Sequence, residues 1–270
     1  MSDKKVVIIT GTSSGIGFCL AKLLVSKGYK VYGLSRRVVN ENFESLQCDV
    51  TDEEKVKQCF EYVFNKEGKI DVLVNNAGMG ISGAVEFIDS AQSKKLFDVN
   101  VNAVVSLCKI VIPYMKKNGG GRIVNISSVA GFIPIPFQTF YSMSKSAINS
   151  LTMCLKMELA PLNICVCGVM PGDTKTGFTN AREKILLNDG YGNRIEKSVS
   201  KMEKDEKNGV SADKVAKVVL KQIERKKPPV LVCVGANYKF IAFLQKILPR
   251  KIMLKIVNKI YGWRGYNGFI

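Results

Sequence analysis

A phenol and an amine four positions apart carry the first chemical signal of this chain. In Phe140-Tyr141-Ser142-Met143-Ser144-Lys145-Ser146-Ala147, Tyr141 and Lys145 fall one turn apart on an expected helix, on one face. A nearby ammonium favours a phenolate and is expected to lower the tyrosine pKa toward the working pH, as a proton-transfer group requires. Ser128 stands thirteen positions before Tyr141. Alone, such a pair is more often a solvated helix face, so its meaning rests on its surroundings. The chain has no histidine, which removes Ser-His-Asp hydrolases, HExxH metalloproteases and zinc deaminases. Eight cysteines show neither CxxC nor the paired spacing of a zinc site, so no metal is expected. They read as small buried hydrophobes in a reducing compartment.

Alternating strand and helix patterns must position these groups. Val6 to Thr10 is a continuous apolar run of the kind a buried parallel strand shows. Further strands are expected at Lys30 to Ser35, up to Cys48-Asp49, Asp71 to Asn75, Arg122 to Ser127, Ile164 to Val169 and Val230 to Val234. Helices are expected after the first strand (ending near Gly28), after a Thr51-Asp52-Glu53-Glu54 cap, and near 89–118, 141–160 and 211–226. Repeated strand–helix–strand units imply an α/β fold: a Rossmann-type doubly wound parallel sheet with helices on both faces. Ligands on such sheets bind beyond the carboxyl ends of the strands. The 270 residues divide into one nucleotide-binding domain, 1–236, and a C-terminal helical extension, 237–270.

Thr10-Gly11-Thr12-Ser13-Ser14-Gly15-Ile16-Gly17 joins the first strand to the first helix. Gly11 permits a tight turn, Gly15 a close approach of backbone to a pyrophosphate, and Gly17 close helix packing; the helix N-terminus offers N–H donors to phosphate. At the end of the second strand, where a carboxylate would select NAD, stands Ser35-Arg36-Arg37. Two guanidinium groups suit a 2′-phosphate, so NADP(H) is favoured over NAD(H).

These motifs, with Asn75-Asn76-Ala77-Gly78, Asn125-Ile126-Ser127-Ser128, Tyr141-x-x-x-Lys145 and Pro171-Gly172, occur in the order and spacing of the short-chain dehydrogenase/reductase family. The chain resembles its single-domain members closely over residues 5–176. The resemblance implies a proton-donating Tyr141, a Lys145 that lowers its pKa and bonds the nicotinamide ribose, a Ser128 that bonds the carbonyl oxygen, and an Asn100 that holds a relay water. It places Asp49 and Val50 beside the adenine and Asn76, Ala77 and Gly78 on the adenosine side. Ser13 and Ser14 fall near the 2′-phosphate, and Pro171, Gly172, Thr174 and Thr176 at the carboxamide. Many NADP-dependent relatives carry a basic residue where Ser14 stands, so the phosphate charge would rest on Arg36 and Arg37. The resemblance also implies a mobile lid over about 173–210 and a homodimer or homotetramer pairing helices near 100–118 and 141–160.

The apolar stretch Phe132 to Phe137, with Met79 and Ile81, reads as the lining of a greasy pocket or as ordinary core. A pocket would take a lipophilic ketone or alcohol, such as a steroid, a retinoid or an acyl lipid. The formal net charge is +17 without any nucleic-acid-binding motif. Residues 237–270 hold seven basic and no acidic residues. Lys251, Lys255 and Lys259 lie beside Ile252, Ile256 and Ile260, as in a helix packed on the site or at a subunit interface, or an interfacial helix on membrane lipid. Met1-Ser-Asp-Lys-Lys leads straight into a strand, so no signal peptide is expected and the compartment reads as cytoplasm. The reading that follows is an NADP(H)-dependent interconversion of ketone or aldehyde and alcohol. The alternatives are a catalytically silent nucleotide sensor and a membrane-surface scaffold.

Overall fold

The computed structural model describes residues 4–187 and 189–261; the end of the basic extension, 262–270, lies outside them. Seven strands form one parallel sheet: β1 (Val6–Thr10), β2 (Lys30–Ser35), β3 (Glu44–Gln47), β4 (Val72–Asn75), β5 (Gly121–Ile126), β6 (Ile164–Pro171) and β7 (Leu231–Val234). Their spatial order is β7-β6-β5-β4-β1-β2-β3, and every neighbouring pair runs parallel. The order reverses between β1 and β4, which opens a crevice at their carboxyl ends.

Alternation within the strands sorts the core into two layers. Val7 and Ile9 point to one face, where Leu20 and Leu24 of α1 (Gly15–Ser26) and Val215 and Val219 of α7 (Ala212–Glu224) cover them. Val6 and Ile8 point to the other, packed with Phe60 of α2 (Glu53–Glu67), Leu107 of α4 (Ala103–Lys117) and Ile148 of α5 (Thr139–Glu158). A strand buried on both faces has no polar side, which is why β1 reads as an unbroken apolar run.

Several boundaries move from their expected places. Asp52, not Thr51, caps α2: its carboxylate accepts from Lys55 N at 2.9 Å, while Thr51 bonds Asp49. β3 stops at Gln47, short of Cys48-Asp49, and β6 extends past Val169 to Pro171. The expected helix over 89–118 is three pieces: α3 (Ser90–Phe97), a π turn at Asp98–Asn102, and α4. Ser90–Lys117 is apolar enough to span a bilayer by composition, yet its Val104, Leu107, Val111 and Met115 are buried in the core.

The expected lid stretch carries two short strand pairs. Thr174–Lys175 pairs with Val210–Ser211, and Glu183–Lys184 pairs with Ile81–Ser82. Between these pairs lie a short helix, Phe178–Ala181, and α6 (Arg194–Lys207). α8 (Ala236–Ile247) and α9 (Arg250–Tyr261) form the described part of the extension. Of the cysteines, Cys48, Cys59, Cys108, Cys167 and Cys233 are buried, Cys19 and Cys165 are half-buried, and Cys154 is exposed, contrary to the expectation that all pack inside.

A polar chain crosses the core beneath the site. Asn75 Nδ2 donates to Asn125 Oδ1 (2.9 Å) and Asn125 Nδ2 to Thr152 Oγ1 (2.9 Å), all three residues being buried. Removing the middle member leaves the buried Asn75 amide with only the weak acceptor Cys108 Sγ (3.5 Å) and the Thr152 hydroxyl with only Ile148 O (2.7 Å), at about 1–3 kcal/mol. Asn125→Ala is therefore expected to lower the unfolding free energy by that amount, read as a lower urea midpoint; an unchanged midpoint would show that the chain adds nothing to stability.

Candidate active site

The strand ends converge on a single cavity of about 1000 Å³. At its nucleotide end the first loop turns sharply: Gly11 has φ 72°, and a Cβ on Gly17 would lie 2.4 Å from the Gly11 carbonyl oxygen. That contact is impossible for any side chain, so Gly17 is a packing residue behind the cavity wall, whereas Gly11, Ser13, Ser14, Gly15 and Ile16 border the cavity itself. Ser14 leaves the N-terminus of α1 without a side-chain cap, and no acidic residue occupies the first turn. The N–H groups and the positive end of the helix dipole thus face an anion-ready space.

Thr10, which the sequence reading passed over, braces this loop. Its hydroxyl accepts from Asn76 N and Ala77 N, each at 3.0 Å. The Asn76 amide donates to Thr10 O (2.8 Å) and Gly11 O (3.2 Å). Asn76 borders the cavity, but its side chain serves the loop; Ala77 and Gly78 line the space beside it.

Arg36 and Arg37 are exposed at the cavity rim, and among the described residues neither pairs with a carboxylate. Ser35 fixes their turn by donating to Arg37 O at 2.6 Å. Asp49 and Val50 border the same end, with the Asp49 carboxylate accepting from Thr51 N (3.0 Å) and Thr51 Oγ1 (2.8 Å).

At the opposite end Tyr141, Lys145 and Ser128 meet. Lys145 is buried; its Nζ donates to Ile126 O at 3.1 Å and lies 5.7 Å from the Tyr141 ring centroid. Ser127 is spent, its hydroxyl donating to Lys145 O at 3.1 Å. Ser128 faces the cavity and hydrogen-bonds Tyr141, while accepting from Ala130 N at 3.1 Å. The expected lowering of the Tyr141 pKa by Lys145 does not appear. Burial pushes the phenol up to about 12, with Ser128 and the Arg182 guanidinium pulling it back and Glu206 opposing them. Burial also holds the Lys145 ammonium down, to about 8. Desolvation sets both directions, since burial disfavours the charged form of each group.

Asn100 is buried in the π turn, behind the cavity. Its amide donates to Met79 O (2.9 Å) and Ser144 Oγ (3.1 Å) and accepts from Met79 N (2.8 Å). A Cβ on Gly78 would lie 3.3 Å from Asn100 Oδ1 and 3.6 Å from Lys145 Nζ. The side chain therefore clamps the backbone that faces Lys145. π turns often mark functional positions, but a periodic sequence hides them.

Pro171, Gly172, Thr174 and Thr176 border the middle of the cavity. Thr174 Oγ1 donates to Gly172 O (2.9 Å), and Thr176 Oγ1 accepts from Phe178 N (3.2 Å). Met79, Ile133 and Ile135 line the greasy end as expected. Ile81 does not: it is fully buried in its short strand, among Ile88 and Leu96. Phe137 also turns away and packs on Tyr191.

Four lid residues joined the site unannounced. Phe178 packs on Tyr141 with ring centroids 5.7 Å apart. Arg182, buried, pairs with Glu206, which also accepts from Thr179 Oγ1 at 2.6 Å. No local pattern singles these residues out, since they meet only through the pairing of Glu183–Lys184 with Ile81–Ser82. The extension supplies the last wall, through Tyr238, Ile241, Leu244, Met253, Val257 and Tyr261. It therefore packs on the site, one of the three placements expected for it.

Known proteins share this arrangement. The sequence model of the short chain dehydrogenase family matches residues 5–185. A 3-ketodihydrosphingosine reductase from Bacteroides thetaiotaomicron is 40% identical over 237 residues, 86% of this chain and 88% of that protein. A short-chain dehydrogenase from Streptomyces avermitilis superposes with a TM-score of 0.83 at 27% identity, over 96% of this chain and 98% of the other. ElxO with NADP bound gives 0.74 at 28% identity, over 88% and 99%. With a matching family model, a like sheet and a nucleotide cavity at its switch point, the chain belongs to the short-chain dehydrogenase family of oxidoreductases.

Proposed function

We propose that the protein is an NADP(H)-dependent reductase of a lipophilic ketone, running in reverse as an alcohol dehydrogenase when the cofactor ratio demands. The observation that carries this reading is one cavity holding the glycine loop, two unpaired arginines, and a Tyr141–Ser128–Lys145 cluster at its apolar end. The residues fit a phosphorylated dinucleotide. The Gly11–Gly17 cradle admits no side chain, the α1 N-terminus is uncapped, and Arg36 and Arg37 offer free guanidinium groups for a 2′-phosphate. Asp49 and Val50 would flank the adenine, Gly78 and Lys145 the nicotinamide ribose, and Pro171, Gly172, Thr174 and Thr176 the carboxamide. Bound there, NADPH supplies the hydride.

The protein supplies the proton. At pH 7 a phenol held at about 12 is fully protonated, the state needed to donate to a carbonyl oxygen as negative charge grows on it. Ser128 donates a hydrogen bond to the same oxygen and stabilises that charge. As Tyr141 releases its proton, the Lys145 ammonium favours the phenolate left behind. Lys145 then returns a proton, to be replaced from solvent. Asn100 has its amide used up on Met79 and Ser144, so it acts as a positioning residue, and a relay water would meet the main chain of the π turn.

Met79, Ile133 and Ile135, with the apolar side chains of α8 and α9, favour a lipophilic substrate. Similarity to a 3-ketodihydrosphingosine reductase supports a keto lipid above a steroid or retinoid. Met153 and Met157 lie exposed on α5, which suits a homodimer or homotetramer through that helix. Free cysteines suit the cytoplasm, and the basic extension suits contact with a membrane.

Tyr141→Phe is expected to cut turnover roughly 10²–10⁴-fold while NADPH binding, followed by fluorescence, stays within a factor of about two. Retained turnover would remove the tyrosine from the chemistry. Arg36→Ala with Arg37→Ala removes charge-assisted bonds, and NADPH should weaken about 10–100-fold with NADH nearly unaffected. Equal weakening of both would refute the phosphate assignment. Because Lys145 is a lysine with a lowered pKa, its ammonium is present below about pH 8 and lost above it. Carbonyl reduction at saturating cofactor should thus decline as pH rises through about 8. A flat pH–rate profile to pH 9.5 would exclude a Lys145 contribution of this kind.

A further inference from the structure

The C-terminal helix pair carries two different surfaces, and their overlap extends the reading of the protein as a reductase of a lipophilic ketone, on which the following inference rests. One surface faces inward. Met253, Val257 and Tyr261, at i, i+4 and i+8 of α9, border the cavity, as do Ile241 and Leu244 of α8. Gln245 Nε2 donates to Phe132 O at 2.6 Å. Tyr238 OH donates to the Asp173 carboxylate, and Tyr261 OH to Asp205 Oδ2 at 3.3 Å. These contacts fasten the inner faces to the core and the lid.

The other surface faces out. Phe240, Phe243 and Ile247, at i, i+3 and i+7 of α8, are 61%, 58% and 60% exposed. On α9, Ile252, Ile256 and Ile260 form a second exposed stripe, directly beside the exposed Lys251, Lys255 and Lys259. No acidic residue occurs between Ala236 and Tyr261. Large aromatic and aliphatic groups left open in stripes mark a surface that meets another phase or partner. Ile256 and Ile260 belong to both surfaces, since they border the cavity and lie exposed at its rim.

We propose that this helix pair docks on an anionic lipid bilayer, and that the rim at Ile256 and Ile260 is the doorway through which a membrane-borne ketone reaches Tyr141. Apolar stripes flanked by lysines have the composition of helices that lie in a lipid interface. Lysine stems bury along the apolar surface while their ammonium groups reach lipid phosphates. An anionic surface also relieves the i,i+4 repulsion among Lys251, Lys255 and Lys259. An apolar docking face continuous with an apolar cavity rim lets a poorly soluble substrate pass without crossing water. An acidic protein would satisfy the lysines but leave the phenylalanines idle, and a second copy of the chain would bring like charge against like.

The test compares wild type with Phe240→Asp/Phe243→Asp, whose side chains lie outside the cavity lining. Each is assayed with a long-chain ketone held in phosphatidylglycerol-containing vesicles and with a short, water-soluble ketone. Wild type should float with these vesicles and not with pure phosphatidylcholine. The variant should lose flotation and reduce the vesicle-borne ketone at least about ten-fold more slowly, with the soluble ketone within about two-fold. Intact turnover of the soluble ketone shows that the variant is folded. Undiminished turnover of the vesicle-borne ketone by the variant overturns the doorway. Absence of wild-type flotation overturns the docking, and if the variant then sediments as a smaller species the face belongs to a second copy. In those cases turnover of the soluble ketone leaves the reductase reading standing. Failure of wild type on both ketones sinks that reading and the doorway together.

Discussion

The lacing of α5 onto the carboxyl end of β5 is the constraint on which the site depends. Lys145 Nζ donates back to Ile126 O (3.1 Å), Ser127 Oγ donates to Lys145 O (3.1 Å), and Ser146 Oγ donates to Gly131 O (2.7 Å). The approach is so close that a Cβ on Gly131 would lie 2.7 Å from the Lys145 carbonyl oxygen. One helix turn is thereby held against one strand end, and Ser128, Tyr141 and Lys145 have little freedom to drift apart. Proton transfer demands such geometry, since a group misplaced by an ångström loses much of its catalytic effect. The nucleotide loop is positioned by the neighbouring strands β1 and β4 through Thr10 and Asn76. Because β1, β4 and β5 are adjacent in the sheet, the two halves of the site are fixed relative to one another by backbone ladders.

The lid adds a second layer of control over Tyr141. Buried Arg182 and half-buried Glu206 form an ion pair within the lid stretch. Desolvating such a pair offsets most of its Coulombic gain, so it is weak as a source of stability. It does tie position: Glu206 of α6 meets Arg182 and the Thr179 hydroxyl together, while Arg182 Nε and Nη1 stay buried without partners. Arg182 and Glu206 pull the phenol in opposite directions, so a substrate that shifts either one alters the proton donor directly.

How far the sequence spoke depended on the range of the interactions involved. The glycine loop, the strand end at Asn75 and the Tyr141–Lys145 turn are local patterns, and each lies where its spacing implied, while the strand expected over Arg122 to Ser127 runs from Gly121 to Ile126. Gly17 was legible as a packing residue, but Asn76 was legible only as a residue, because its partner Thr10 is met only after folding. The π turn was invisible, since one extra residue in a helical ladder leaves hydrophobic periodicity nearly intact. Ile81 was misplaced because a two-residue strand buried on both faces looks the same as a pocket wall. Arg182, Phe178 and Tyr238 enter the site through lid and tail contacts of long sequence separation, for which no periodic signal exists.

The opposed titrations of Tyr141 and Lys145 show what the site costs the fold. The lysine drops from its ordinary 10.5 to about 8 on burial. Between those values the unfolded chain binds more protons than the folded one, so stability rises with pH across that window and is lowest below it. At neutral pH the ammonium is therefore retained against the preference of its surroundings, with one carbonyl, Ile126 O, to compensate it. A buried leucine or methionine would serve the core better. Natural folds commonly give up stability at sites whose chemistry requires it. A charge kept in such a place, one turn from a phenol and within reach of a nucleotide cavity, is hard to account for in a sensor or a scaffold. Neither has any use for a cation held in a place that disfavours it.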